Sequence, residues 1–147
     1  MVNTFLPWPD FRESAKSLDW RRLGKQRPEA MQILGSLRGD INGWRNTPMV
    51  RIWEGYEGVL CLYGIRICEE WISRGYNDNV CYNYFTDMIK KYDTCEFPWW
   101  LGLASYHESM QSNLIFKDPE HYSPQFPGVE SGLPYFWPVP ELRDEFA

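Results

Sequence analysis

Residues 47–75 read TPMVRIWEGYEGVLCLYGIRICEEWISRG, and they decide the fold class. Thr47 is a good cap residue, and Pro48 suits the first turn of the helix it opens. Trp53, Tyr56, Leu60, Tyr63 and Ile67 recur at spacings of three and four, which predicts one continuous buried face. The helix is expected to run to about Arg74 and to close at Gly75. Working outward, Pro28 at a first helical position and Glu29 in the first turn predict a second helix from Pro28, limited by Gly35 and Gly39. Val2 to Pro9 reads as extended because two prolines fall close together. Further helices fit residues 10–20, Asn79 to Tyr92, and Ser105 to Phe116, the last ended by Asp118-Pro119. From Glu120 to Pro140 the chain is rich in Pro, Gly and aromatics and predicts an irregular tail. Strand signals are weak. The expectation is a mostly α protein: a single compact helical domain over residues 1–147 with an irregular C-terminal tail.

The 147 residues are one domain's length, and 44% are apolar, enough for a core. No run of 18 apolar residues occurs, so no membrane helix is expected. The opening MVNTFLPWPDFRES lacks the basic flank and apolar run of a signal peptide, and a cytoplasmic location is expected. Cys61, Cys68, Cys81 and Cys95 include no C-x-x-C pair, and with two histidines they give no zinc pattern. Buried, reduced thiols are expected, with no metal and no cofactor. Aromatics number 25, from 8 Trp, 9 Tyr and 8 Phe. The net charge of −5 hides an asymmetry: residues 1–51 hold 9 of the 15 Lys and Arg against 5 acids, a balance of +4. Residues 52–147 hold 6 against 15, a balance of −9. A basic N-terminal third suits a local phosphate-binding face, and it also fits a solvated basic helix.

The densest chemistry lies in residues 18–30, LDWRRLGKQRPEA. Arg21, Arg22, Lys25 and Arg27 precede the helix start expected at Pro28, and Glu29 sits just inside it. Unpaired N–H groups and the positive dipole end there would make an anion site. The same field would hold the Glu29 pKa low, keeping a carboxylate able to stabilise a developing oxocarbenium or iminium cation. The plainer alternative is that Glu29 only complements the helix dipole. Residues 43–51 offer Arg45, Asn46 and Arg51 beside another helix start, again suited to phosphate; a turn and cap explain Asn46 and Thr47 but not both arginines. In the Ser105 helix, His107, Met110, Gln111 and Leu114 share a face, where a lone His is more often structural. The segment Leu133-Pro134-Tyr135-Phe136-Trp137-Pro138 reads by default as core packing.

These stretches carry a resemblance. NTFLPWPDFRESAKSLD, RRLGKQRPEAMQIL, GWRNTP, RIWEGYE, EEWISRGY, SNLIFKDPEHY and LPYFWP together resemble the bacterial and phage relatives of pyrimidine-dimer DNA glycosylase, the endonuclease V family. The resemblance spans nearly the whole chain and implies an all-α fold with double-stranded DNA across the basic N-terminal face. It implies base removal by an N-terminal amine that attacks the deoxyribose C1′, forms an imine and permits β-elimination. The amine would be that of Val2 if Met1 is removed, otherwise that of Met1. Counted from Leu18-Asp19, the family's essential glutamate falls on Glu29.

Arg22, Lys25, Arg27, Arg45 and Arg51 would hold phosphates, with Asn46, His107, Ser112 and Asn113 completing the candidate DNA contacts. The aromatics would support displaced bases. The chain departs from the branch at Thr47 and Met110, where histidine is frequent, at Gln111, where arginine is frequent, and at Phe116, where a basic residue is usual. The expected activity is a DNA N-glycosylase with abasic-site lyase activity on damaged or modified pyrimidines. The alternatives are a DNA-binding descendant that does not cut, and a protein-interaction module using the acidic face.

Overall fold

A computed structural model describes residues 2–93 and 96–146, so Met1 and Cys95 lie outside the described residues. The described chain is helical, without strands. Helix α1 (Phe11–Ser17) is capped by Asp10, whose carboxylate accepts the Glu13 N–H at 2.8 Å. Helix α2 spans Trp20–Arg38 and is closed by Gly39 at φ 79°. The start expected at Pro28 is therefore corrected, because Asp19 caps the helix and Pro28 lies inside it.

An interior proline removes one N–H and leaves the carbonyl four residues back unpaired. That carbonyl belongs to Gly24, and the Arg27 Nε–H donates to it at 3.2 Å. The chain thus supplies the missing donor from the residue beside the proline. Glu29 therefore lies within the helix and not at its N-terminus, so the helix-end contribution expected for an anion site there is absent.

The long helix expected over residues 47–74 is likewise two helices. A short α3 (Pro48–Arg51) ends in a turn at Gly55, φ 86°, and α4 (Glu57–Ser73) follows. Trp53 faces the core across that break. Arg74 and Gly75 close α4 as expected, Gly75 at φ 93° with its N–H on the Ile72 carbonyl.

Helix α4 is the central element, packed on α1, on α2 and on α5 (Cys81–Met88). A 3-10 turn, Ile89–Lys91, extends α5 to nearly the expected Tyr92. Helix α6 (Ala104–Lys117) lies within a residue of the expected bounds at each end. Asp118-Pro119 both ends α6 and opens α7 (Pro119–Tyr122), the Asp118 carboxylate accepting the His121 N–H. The tail is irregular to Val139, then closes in a 3-10 turn (Pro140–Leu142) and α8 (Arg143–Phe146).

Most of the large aromatics are structural. Trp53 is fully buried, donates its indole N–H to Thr4 Oγ1 at 3.0 Å and meets Trp100 edge-on at 5.1 Å. Trp100 donates to the Ile52 carbonyl at 2.8 Å, tying the α3–α4 break to the start of α6. Cys61, Cys68 and Cys81 are free, buried thiols. No described helix is long and apolar enough to cross a membrane.

Helices α4 and α5 meet closely at Gly64, where an added Cβ would stand 2.6 Å from the Phe85 ring. Gly64→Ala is therefore expected to cost about 1–3 kcal/mol, because rigid aromatic carbon must move. Urea denaturation of Gly64→Ala and of the Gly64→Ala/Phe85→Leu double variant checks this; the smaller ring-site residue is expected to recover part of the loss.

Candidate active-site cleft

The first residues of the chain set the site. Val2 to Pro7 is buried, forms no helix, and has no strand partner among the described residues. Its main-chain polar groups must therefore be satisfied by side chains. Gln26 of α2, itself fully buried, accepts the Phe5 N–H at 2.9 Å and donates to the Asn3 carbonyl at 3.1 Å. Tyr63 of α4 places its hydroxyl 2.6 Å from Gln26 Oε1 and 3.0 Å from the Phe5 carbonyl. From α6, His107 binds the Leu6 carbonyl and Gln111 the Pro7 carbonyl, each at 2.8 Å.

Gln26 also reaches Glu29, three residues along the same helix face. Its Nε2 donates to Glu29 Oε2 at 2.8 Å. Burial pushes the Glu29 carboxyl above its ordinary value, outweighing Lys25, Lys117 and the Asn3 main-chain N–H, which pull it down. The low pKa expected from a helix terminus is thus reversed, since there is no terminus and desolvation dominates.

Glu29 stands in a cleft of about 810 Å³ whose wall is mostly α2. Arg21, Arg22, Lys25, Arg27 and Lys117 supply its cations; Phe5, Trp20, Trp71 and Tyr135 supply its aromatic surface. Gly24 keeps the wall thin, because a Cβ there would stand 3.0 Å from the Trp71 ring. Arg27 stacks on Trp71 at 4.5 Å and lies 3.2 Å from Asp78. Burial raises the Asp78 carboxyl, but the Tyr82 N–H, Cys68 and Arg27 outweigh it and hold it low. Arg22 pairs with Asp19 at 3.1 Å, and Asp19 also receives the Tyr122 hydroxyl. Lys25 and Lys117 are exposed and make no ion pair among the described residues.

Of the candidate residues the cleft lining includes Glu29, Arg22, Lys25 and Arg27, and leaves the others outside, the buried Val2 among them. Arg45 is paired with Glu54 at 2.7 Å, Arg51 is paired with Glu141, and neither they nor the exposed Asn46 line it.

His107 is corrected from a DNA contact to a scaffold group. It is 5% exposed, and its Nε2 accepts the Gly102 N–H at 2.8 Å, which leaves Nδ1 carrying the proton to Leu6. Burial lowers its pKa, so it stays neutral. Ser112 and Asn113 bind the tail: the Ser112 hydroxyl accepts the Leu133 N–H, and the Asn113 amide donates to the Leu133 carbonyl.

The residues missed in the sequence are Gln26, Asn3, Trp71, Lys117 and Tyr135. All five stood inside the stretches that carried the resemblance, and Tyr135 stood also in a segment assigned to core packing.

A profile of the pyrimidine dimer DNA glycosylase family matches residues 2–83, the part holding the N-terminal segment, Gln26, Glu29 and Trp71. The chain belongs to that family. Membership carries a DNA-glycosylase-like role, and with it DNA as the partner. Comparison with curated proteins and with solved structures gives no match.

Two measurements follow from this cleft. Gln26→Leu leaves four hydrogen-bonding partners short and is expected to cost about 3 kcal/mol or more in chemical denaturation.

For Glu29, the folded carboxyl holds its proton more tightly than the unfolded one, whose pKa is near the ordinary 4.5. Stability from this group is therefore present at low pH and lost as pH rises through the window above 4.5. Glu29→Gln removes the effect. Its Tm advantage over wild type is expected to grow from pH 4 to neutrality and then level, whereas a constant difference would contradict it.

Proposed function

We propose that the chain is a DNA N-glycosylase with abasic-site lyase activity on damaged or modified pyrimidines. One observation carries the reading: a half-buried carboxylate, oriented by a buried glutamine, stands beside the N-terminal segment in a cation-rich cleft large enough for a nucleotide. Residues 1–147 act in it as one domain, since Tyr106, Met110, Leu114 and Tyr122 share the core built by the family-matched residues.

In the proposed reaction the N-terminal amine, that of Val2 where Met1 is removed and otherwise that of Met1, attacks C1′. An α-amine ionises near a pKa of about 8, so a useful neutral fraction exists at pH 7. Its lone pair forms the C–N bond while the bond from C1′ to the base breaks and the pair leaves with the base. Opening of the sugar sends a proton to O4′ and yields the iminium. Loss of a C2′ proton then expels the 3′ phosphate, and water releases the amine. A carboxyl whose pKa is raised toward neutrality is better matched to these proton transfers than a strongly acidic one. Glu29 gives and takes the protons and steadies the cation. Lys25 and Lys117 hold phosphates, and the displaced nucleotide enters the cleft between them and Glu29.

A second reading, a DNA-binding descendant that does not cut, is favoured by Arg22, Arg27, Arg45 and Arg51 all being held in ion pairs. Borohydride trapping on a duplex with one abasic site separates the two. The glycosylase reading expects a covalent adduct through the N-terminal amine, located by mass spectrometry, and a loss of strand cleavage of about 100-fold or more in Glu29→Gln. Binding without an adduct supports the descendant, and absence of binding leaves a protein-interaction module. Lys25→Gln and Lys117→Gln should each lower the salt slope of duplex binding by about 1.

A further inference from the structure

Two buried polar atoms of residues lining the cleft lack a hydrogen-bond acceptor among the described residues: Asn3 Nδ2 and the Tyr135 hydroxyl. Asn3 is 3% exposed. Its orientation is fixed, because Oδ1 accepts the Thr4 N–H at 2.8 Å and only the NH2 end is left over. Its own carbonyl accepts from Gln26, which holds the main chain of Asn3 against α2. Tyr135 comes from the tail, where Trp137 packs on its ring at 5.0 Å and Leu133 is held by Ser112 and Asn113. The Asn3 amide lies close enough to the Tyr135 oxygen to act on it as a donor, which leaves the second amide proton and the hydroxyl proton without an acceptor. Each buried donor left unpaired costs free energy of about 1–3 kcal/mol, which a fold retains where a ligand supplies the acceptor.

The chemistry of the pair indicates which acceptor. Both groups are neutral, so they suit a carbonyl oxygen better than a phosphate, for which Lys25 and Lys117 stand ready in the same cleft. Asn3 is also the residue next to the Val2 amine, and so lies beside the sugar carbon under attack. The pyrimidine carbonyl nearest that carbon is O2, and it receives negative charge when the bond from C1′ to N1 breaks with its electron pair on the base.

We infer that Asn3 and Tyr135 donate hydrogen bonds to O2 of the departing pyrimidine and stabilise it as a leaving group. This rests on the glycosylase reading above and deepens it. The two donors act only while a base is attached, and the same fixed, water-shielded geometry favours the charged leaving group over the ground state. The N1 anion then takes its proton from Glu29 or solvent.

Tyr135→Phe removes one oxygen and leaves the ring packing intact. Asn3→Asp keeps the acceptor for the Thr4 N–H and removes the donor. Both are compared with wild type on two duplexes, one with a single thymine dimer and one with a single abasic site, alongside the side-chain NH2 signals of 15N-asparagine-labelled protein titrated with the dimer duplex.

The expected result is a roughly 100-fold slower base release for each variant, a loss at least about tenfold smaller on the abasic duplex, and a shifted Asn3 NH2 signal in wild type. Equal losses on both duplexes, no loss on the dimer duplex, or an unmoved Asn3 signal would each overturn the assignment. Failure of wild type to trap on the abasic duplex instead sinks the imine reading, while the Asn3 signal still decides this one.

Discussion

Everything in this fold answers to one constraint: a segment that forms no helix is buried without a strand beside it. A sheet would satisfy its carbonyls and N–H groups for free, and here they must be met one at a time. Gln26 meets two, Tyr63 one, and His107 and Gln111 one each, so helices α2, α4 and α6 are all drawn to the same six residues. The helices need not have been arranged this way for their own apolar faces. Their polar side chains make the arrangement specific, because a buried unpaired main-chain group is expensive enough to reject alternatives.

The same constraint sets the chemistry of Glu29. A carboxyl on an exposed α2 face amid four nearby cations would be held low. Gln26 turns it instead toward the buried segment, and desolvation outweighs the cations. The cations are themselves less free than their number implies. Asp19 and Asp78 engage Arg22 and Arg27, so two residues that look like phosphate ligands also hold the cleft wall in shape.

What could be read from the sequence was local. Gly75 and Asp118-Pro119 stop their helices by backbone rules that need no partner, and both boundaries stand where they were expected. Pro28 obeyed a rule of the same kind and misled, because its exception depends on Arg27 reaching back to Gly24. Gly55 divides a run whose apolar spacing is continuous on both sides; spacing records which residues face the core and is blind to a turn that keeps them there. Glu29 was legible because charge and spacing singled it out. Gln26, Asn3 and Tyr135 were not, since what makes them matter is a partner between 21 and 37 residues away, or an acceptor missing among the described residues. His107 shows the converse: a residue type that suggests chemistry, spent on holding a loop and the N-terminal segment.

The ties of α6 reach 101 and 104 residues back to Leu6 and Pro7, while Ser112 and Asn113 clasp the tail. Closing loops of that length is slow in chain entropy and is repaid only once the helices between have formed. These ties are therefore expected to form after the helices they join. Opening the segment around Phe5 to solvent breaks contacts with three helices together, so exchange of that amide proceeds through unfolding of the whole core instead of through local fraying.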